Sequence, residues 1–261
     1  MRRTILIWGF ALAVLAVAWP VAAQDDPNTP GGERFHVELA TMWWWASPTF
    51  ELQSGSLENT SVNFTTTFGL GQERLSELRV VGKIARKHRL RFSYVPIRYE
   101  AAQTLGTPIT FGSRQFSGPT SASVNWDLWR FGYQWNFITR PRGFVGVVGE
   151  LKYNDFNAAA SAGVLGAVQD VQAPVPTAGV SGRVYVVPSV AVSAEFTGMK
   201  IPSSSSFGGS FYDFDVYATG NLGRHFGVQG GFRSVSTDYL IDLDRGNIGV
   251  QGAYVGVVSR F

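Results

Sequence analysis

The sequence predicts an all-β protein, a transmembrane antiparallel up-and-down β-barrel of about ten strands. Three observations carry this. Stretches of 10 to 16 residues alternate apolar and polar side chains with period two and are rich in Val, Phe, Tyr, Trp and Thr. After the first 23 residues, no apolar run approaches the roughly 18 expected of a membrane-crossing helix. Short turns and long loops alternate between the stretches, as in barrels that cross a bilayer.

Composition narrows the class further. Charged residues make up 16% and aromatics 14% of the 261 residues, whereas an ordinary soluble domain is roughly 25% charged. A disordered chain would be polar and poor in aromatics, so disorder is excluded. The absence of cysteine excludes a disulfide scaffold, a cysteine nucleophile, a thiolate zinc site and a lipid-anchored cysteine.

Residues 1–23 read as a signal peptide. Arg2 and Arg3 form its basic start, Ile5 to Trp19 its apolar stretch, and Pro20-Val21-Ala22-Ala23 a small-residue cleavage site. Removing them lowers the formal charge from +3 to +1, which takes away the support for nucleic-acid binding. Residues 24–33 are expected to be a short periplasmic lead-in and 34–261 the barrel, with no further domain after it.

The strands are expected at 34–46, 73–85, 88–100, 121–137, 142–156, 173–187, 190–201, 207–221, 225–238 and 246–261. Each is long enough to cross a bilayer at a tilt. Val190, Val192, Ala194 and Phe196 share one face while Ser193, Glu195 and Thr197 share the other. Val145, Val147, Leu151 and Tyr153 likewise oppose Gly146, Glu150 and Lys152. Tyr212, Phe214, Val216 and Ala218 oppose Asp213, Asp215, Tyr217 and Thr219. Tight turns fall at 86–88, 139–142, 187–189 and 223–225, and longer loops at 47–72, 101–120, 157–172, 201–207 and 239–246. Ser61–Phe68 and Pro108–Phe116 are also strand-like; they are taken as strand extensions above the membrane, and promoting both gives twelve strands. Eight is the other alternative.

Apolar faces turned to lipid leave an inward set of Glu38, Glu77, Arg79, Lys83, Arg91, Arg130, Glu150, Lys152, Arg183, Glu195, Asp213, Asp215 and Arg233. Both signs are present, so neighbouring acids and bases are expected to pair and fill a narrow interior. A selective pore would show one dominant sign. Trp43, Trp45, Tyr94, Trp129, Tyr133, Trp135, Phe137, Phe144, Tyr153, Phe226 and Phe232 are expected in girdles near the strand ends. The run Trp43-Trp44-Trp45 is placed at the interface, because three adjacent side chains cannot all face inward.

The signal peptide, the alternating strands and the last segment, Asn247 to Phe261, resemble small bacterial outer-membrane β-barrels of the broad OmpA/OmpX-like group. Phe261, preceded by Val257 and Val255 on the same face, is similar to the signal that the barrel-assembly machinery reads in that class. The resemblance implies the outer membrane of a Gram-negative bacterium, with outer-membrane lipids, lipopolysaccharide and that machinery as partners and no nucleic acid. It carries no particular activity.

The expected role is structural or surface-interacting, with a small-solute porin as one alternative and an outer-membrane hydrolase of protease or lipid A-modifying type as another. Catalysis is not expected. A general base is most often histidine, and His36, His88 and His225 all fall at the turn end, away from the outer acid pair Asp213 and Asp215. No cofactor or metal is expected: Asp238, Asp242 and Asp244 are read as a solvated loop rather than a divalent-ion site. The basic turns Arg86-Lys87-His88-Arg89 and Arg140-Pro141-Arg142 are read as solvated, with inner-leaflet phosphates as the other possibility.

Overall fold

The computed structural model describes residues 30–54, 60–111, 114–163, 165–202, 204, 207–241 and 244–261. The signal peptide and most of the lead-in lie outside the described residues. A 3-10 turn at Gly31–Glu33 precedes strands β1 (Val37–Ser54), β2 (Thr60–Asn63), β3 (Glu73–Ala85), β4 (His88–Phe111), β5 (Arg114–Arg140), β6 (Gly143–Ala162), β7 (Leu165–Val187), β8 (Val190–Ile201), β9 (Phe207–Leu222), β10 (Phe226–Ile241) and β11 (Asp244–Arg260). Eleven strands form one antiparallel sheet, and β11 pairs with β1 to close it. The four-residue β2 pairs with β1 alone, above the point where β3 begins, so ten strands complete the ring. This is the predicted up-and-down barrel. The β1–β11 pairing closes the ring, as a sheet in hydrocarbon requires.

The short turns fall where the sequence places them, but the strands run higher at the other end. Residues 101–111 and 114–120 continue β4 and β5, and 157–162 and 165–172 continue β6 and β7, where loops are expected; within the first pair, the described part of Pro108–Phe116 is the strand extension that the sequence suggests. Ser61–Phe68 is not a strand extension. After β2 the chain forms a five-residue helix, α1 (Phe64–Phe68), because the Asn63 side chain caps it by accepting from the Thr66 N–H and Gly69 closes it with φ 68°. Phe64 and Phe68, four apart, are both buried and cover the top of the barrel.

The alternation changes sense partway up the wall. On β5, Trp129, Phe131, Tyr133, Trp135 and Phe137 face outward across nine residues while Arg130, Gln134 and Asn136 are buried. Nine tilted residues cross a bilayer. Above Trp129 the order inverts: Leu128, Trp126 and Val124 are buried, and Asp127 and Asn125 turn outward. Strand β6 makes the same exchange above Tyr153, where Phe156, Ala158 and Ala160 face inward. Below this level the barrel meets lipid and is apolar outside; above it the barrel meets water and is apolar inside, like a soluble barrel. Arg98 and Tyr94 both donate to the Asp127 carboxylate on the outer wall at this height, at 2.6 and 2.8 Å.

The outward aromatics form the expected girdle, with Tyr94 stacked on Trp129 at 4.0 Å and Phe92 packed on Phe131 at 5.2 Å. Two expectations are corrected. Phe144 is buried, because it begins β6 in step with the inward-facing Glu150 and Lys152. Of the three adjacent tryptophans, Trp43 and Trp45 face lipid but Trp44 faces inward, and its Nε1 donates to the Gly252 carbonyl at 3.0 Å. A Cβ at Gly252 would lie 1.8 Å from the Trp45 carbonyl oxygen, on the β1–β11 seam. Gly252→Ala is therefore expected to destabilise the refolded barrel by about 1–3 kcal/mol, the range for overpacking. A denaturant titration against Gly149→Ala, which meets nothing within 4 Å, measures the difference.

Candidate functional site

The lumen of the lipid-facing half is built from charges. Strand β3 supplies Glu77 and Arg79, β4 Arg91, β5 Arg130, β6 Glu150 and Lys152, β8 Glu195, β9 Asp213 and Asp215, and β10 Arg233. These ten, five acids and five bases, form one connected set of ion pairs across the barrel.

Neighbours along the wall neutralise one another only in part. Arg130 lies directly opposite Lys152 on the ladder, and Glu195 opposite Asp215, so these adjacent pairs carry like charge, which destabilises a sheet. Arg233 pairs with Asp213 on the neighbouring strand, and Arg79 with Glu77 and Lys152 with Glu150 along their own strands; the other pairs reach non-adjacent strands across the lumen. One Asp213 oxygen accepts from Arg130 at 3.0 Å, Lys152 at 2.8 Å and Arg233 at 2.9 Å. Arg79 donates to Asp215 at 2.8 Å, Arg91 pairs with Glu195, and Glu77 accepts from both Arg130 and Arg233. Strands β3 to β6 are thereby tied to β8 to β10. The space left among Arg79, Arg91, Ser93, Arg130 and Glu150 is about 10 Å³, no more than one water molecule occupies.

A second layer lies nearer the short turns. Glu33, from the 3-10 turn, is buried inside the barrel and accepts from Arg89 at 2.7 Å and Arg183 at 2.9 Å. Glu38 accepts from Arg260 at 2.6 Å, and Lys83 donates to the Glu33 carbonyl. Phe144 lies under the Arg89 guanidinium at 4.1 Å. The Tyr217 hydroxyl joins the layers, accepting from Arg183 and donating to Glu195, both at 3.3 Å. All thirteen inward charges named from the sequence thus face the lumen in these two layers. Glu33, Arg89 and Arg260 belong with them and were not named. Arg89, read with the basic turn, is turned inward by the same odd-numbered phase that buries Arg91.

Burial alone would push the Glu33 carboxyl up, but Arg89, Arg183 and Lys83 outweigh this and hold it at about 2, below its ordinary 4.5. A depressed carboxylate stabilises the folded state above its unfolded pKa and loses that contribution as pH falls through the folded one. The seat of the lead-in is therefore expected to hold above pH 4.5 and to weaken progressively between 4.5 and 2. Hydrogen exchange at the His36 and Val37 amides, which bond the Phe261 carbonyl, reports this; Glu33→Gln is expected to flatten the pH response.

Histidines lie away from the aspartates. His88 pairs with the Tyr133 hydroxyl, and His225 donates to the Arg260 carbonyl at 3.0 Å. Of the acids read as a solvated loop, Asp238 lies instead on β10 and accepts from Ser210 and Asn247, at 3.0 and 2.5 Å, and Asp244 begins β11; Asp242 lies outside the described residues. Among the described residues no group of three or more His, Asp or Glu could hold a metal ion. Val255 and Val257 on β11, and Phe261 just after it, are all exposed on the outside.

The outer half of the lumen is filled differently, by apolar side chains. Trp44, Phe50, Tyr99, Trp126, Phe156, Phe211 and Ile248 form a buried apolar core above the charges. Phe50 meets Tyr99 edge-on at 5.4 Å. A charged layer below and an apolar core above thus occupy the lumen.

No protein-family model matches the chain, and no curated protein matches it in sequence. Solved structures do resemble it. The outer-membrane protease OmpT from Escherichia coli matches with a TM-score of 0.58 at 7% identity, over 86% of this chain and 96% of that one. The translocator domain of the autotransporter NalP from Neisseria meningitidis matches with a TM-score of 0.43 at 12% identity, over 88% and 91%. Identities this low show the fold alone. The likeness to OmpT, together with the lipid-facing apolar band, gives the chain the β-barrel fold of the bacterial outer-membrane type.

Proposed function

We propose that this barrel is a closed, non-enzymatic envelope protein with a structural or surface-interacting role. The observation that carries this is the set of ion pairs spanning the lumen, five acids against five bases, in place of a water-filled channel. Small barrels have interiors that side chains can fill, whereas an aqueous channel is typical of about sixteen strands. The aspartates are held by Arg and Lys rather than by a histidine, which supports the non-enzymatic part. The projecting β4–β5 and β6–β7 hairpins rise above the lipid band and offer a surface outside it. Outer-membrane lipids and lipopolysaccharide are the surroundings that this role needs. The barrel-assembly machinery is the insertion partner, in keeping with the outward row Val255, Val257 and Phe261. Liposome swelling tests closure: proteoliposomes in arabinose are expected to swell no faster than empty ones, and faster swelling would favour the porin.

A further inference from the structure

The wall of the outer half is interrupted between β7 and β8. Their ladder runs from Val187 opposite Val190 to Ala178 opposite Gly198 and stops, although β7 continues to Leu165 paired with β6 alone. The reason lies in the sequence. Pro174 and Pro176 have no N–H, and residues two apart on a strand point their hydrogen-bonding groups toward the same neighbour. The β6 ladder passes both prolines unbroken, so the missing donors are those that β8 would use. Through Pro174, the interruption lies level with Tyr153, at the top of the lipid band.

A cavity of about 160 Å³ lies behind this interruption. Phe156, Val171, Val175, Ile201, Phe211 and Ile248 line it. Pro174 and Phe207, both exposed on the outside of the wall, line it too, so it opens sideways. Of its polar neighbours, Asn154 accepts from Trp126 at 3.0 Å, Ser210 donates to Asp238, and the Tyr239 hydroxyl accepts from Gln169 at 3.3 Å. Below it, Lys152 lies 4.7 Å from the Phe211 ring, where the charged layer begins. An apolar cavity of about 150 Å³ stays dry and accepts benzene or xenon.

We propose that this cavity binds a small, uncharged apolar molecule of about one ring, which enters from the side between β7 and β8 at the outer edge of the lipid band. The charged layer beneath makes it a blind site rather than a passage.

Methyl NMR of the refolded chain in lipid nanodiscs, titrated with benzene, tests this. Saturable shifts are expected at Met199, Ile201 and Ile248, against unsaturating shifts at the lipid-facing Val255 and Val257. Ala173→Phe, which fills the cavity from β7, is expected to abolish the saturable shifts while Val255 and Val257 respond as before. Pro174→Trp, at the mouth, is expected to slow exchange several-fold with the saturation point unchanged. Unsaturating shifts throughout, or saturation that survives Ala173→Phe, would overturn the site. Exchange in Pro174→Trp as fast as in the parent would overturn the side entry.

Discussion

Replacing Asp213 by alanine is expected to destabilise the barrel by about 3–5 kcal/mol, the cost of removing one partner from a buried ion pair. Asp213 is buried and accepts from Arg130, Lys152 and Arg233. Its loss leaves three cations converging on one point of the lumen. The lower unfolding midpoint in urea reads the effect, with the folded form followed by its heat-modifiable migration in a detergent gel. Exchanging Lys152 for methionine in the same chain removes one of the three cations. The double variant is expected to fall short of the summed single effects, since contacting residues are not additive. Additive losses would mean that the two side chains act separately.

Replacing Phe50 by alanine is expected to cost about 3–5 kcal/mol as well, but in the other half of the molecule. Phe50 is fully buried between Tyr99 and Phe156 in the outer apolar core. Hydrogen exchange should rise at Ile97, Tyr99, Ala158 and Val250. It should stay slow at Val257 and Val258, where β11 pairs with both β1 and β10 in the lipid band. Asp213→Ala should loosen the charged half instead. Equal loss of protection along the whole of β11 in Phe50→Ala would mean that the two halves unfold as one.

The lipid-facing half was legible in the sequence because bilayer and lumen impose opposite polarity on adjacent residues. Val190 to Phe196 and Val145 to Tyr153 alternate cleanly, so strands, turns and inward charges could all be named. The outer half was not legible because its alternation changes sense. Above Trp129 the buried side chains are Leu128, Trp126 and Val124, and the outward ones Asp127 and Asn125. A single inside-out pattern therefore ends at about residue 128: a strand is still expected down to 121, but 101–120 reads as a loop with Pro108–Phe116 as a strand-like extension. The inversion on β5 and again at Asp155–Phe156 on β6 is the signal that would have found the apolar core. Glu33 escaped for another reason: the lead-in has no periodicity, and only the cations inside the barrel show where its carboxylate goes. The prolines on β7 were visible as residues. What they do to the β8 ladder becomes visible only once the register is known.

Closure of the lumen is tested most directly by the current that single molecules of the refolded protein carry across a planar lipid bilayer. With ion pairs spanning the lipid-facing half and Phe50, Tyr99 and Trp126 filling the half above, no unitary steps are expected at neutral pH over baseline. Steady single-channel steps from the unmodified chain would contradict a closed barrel.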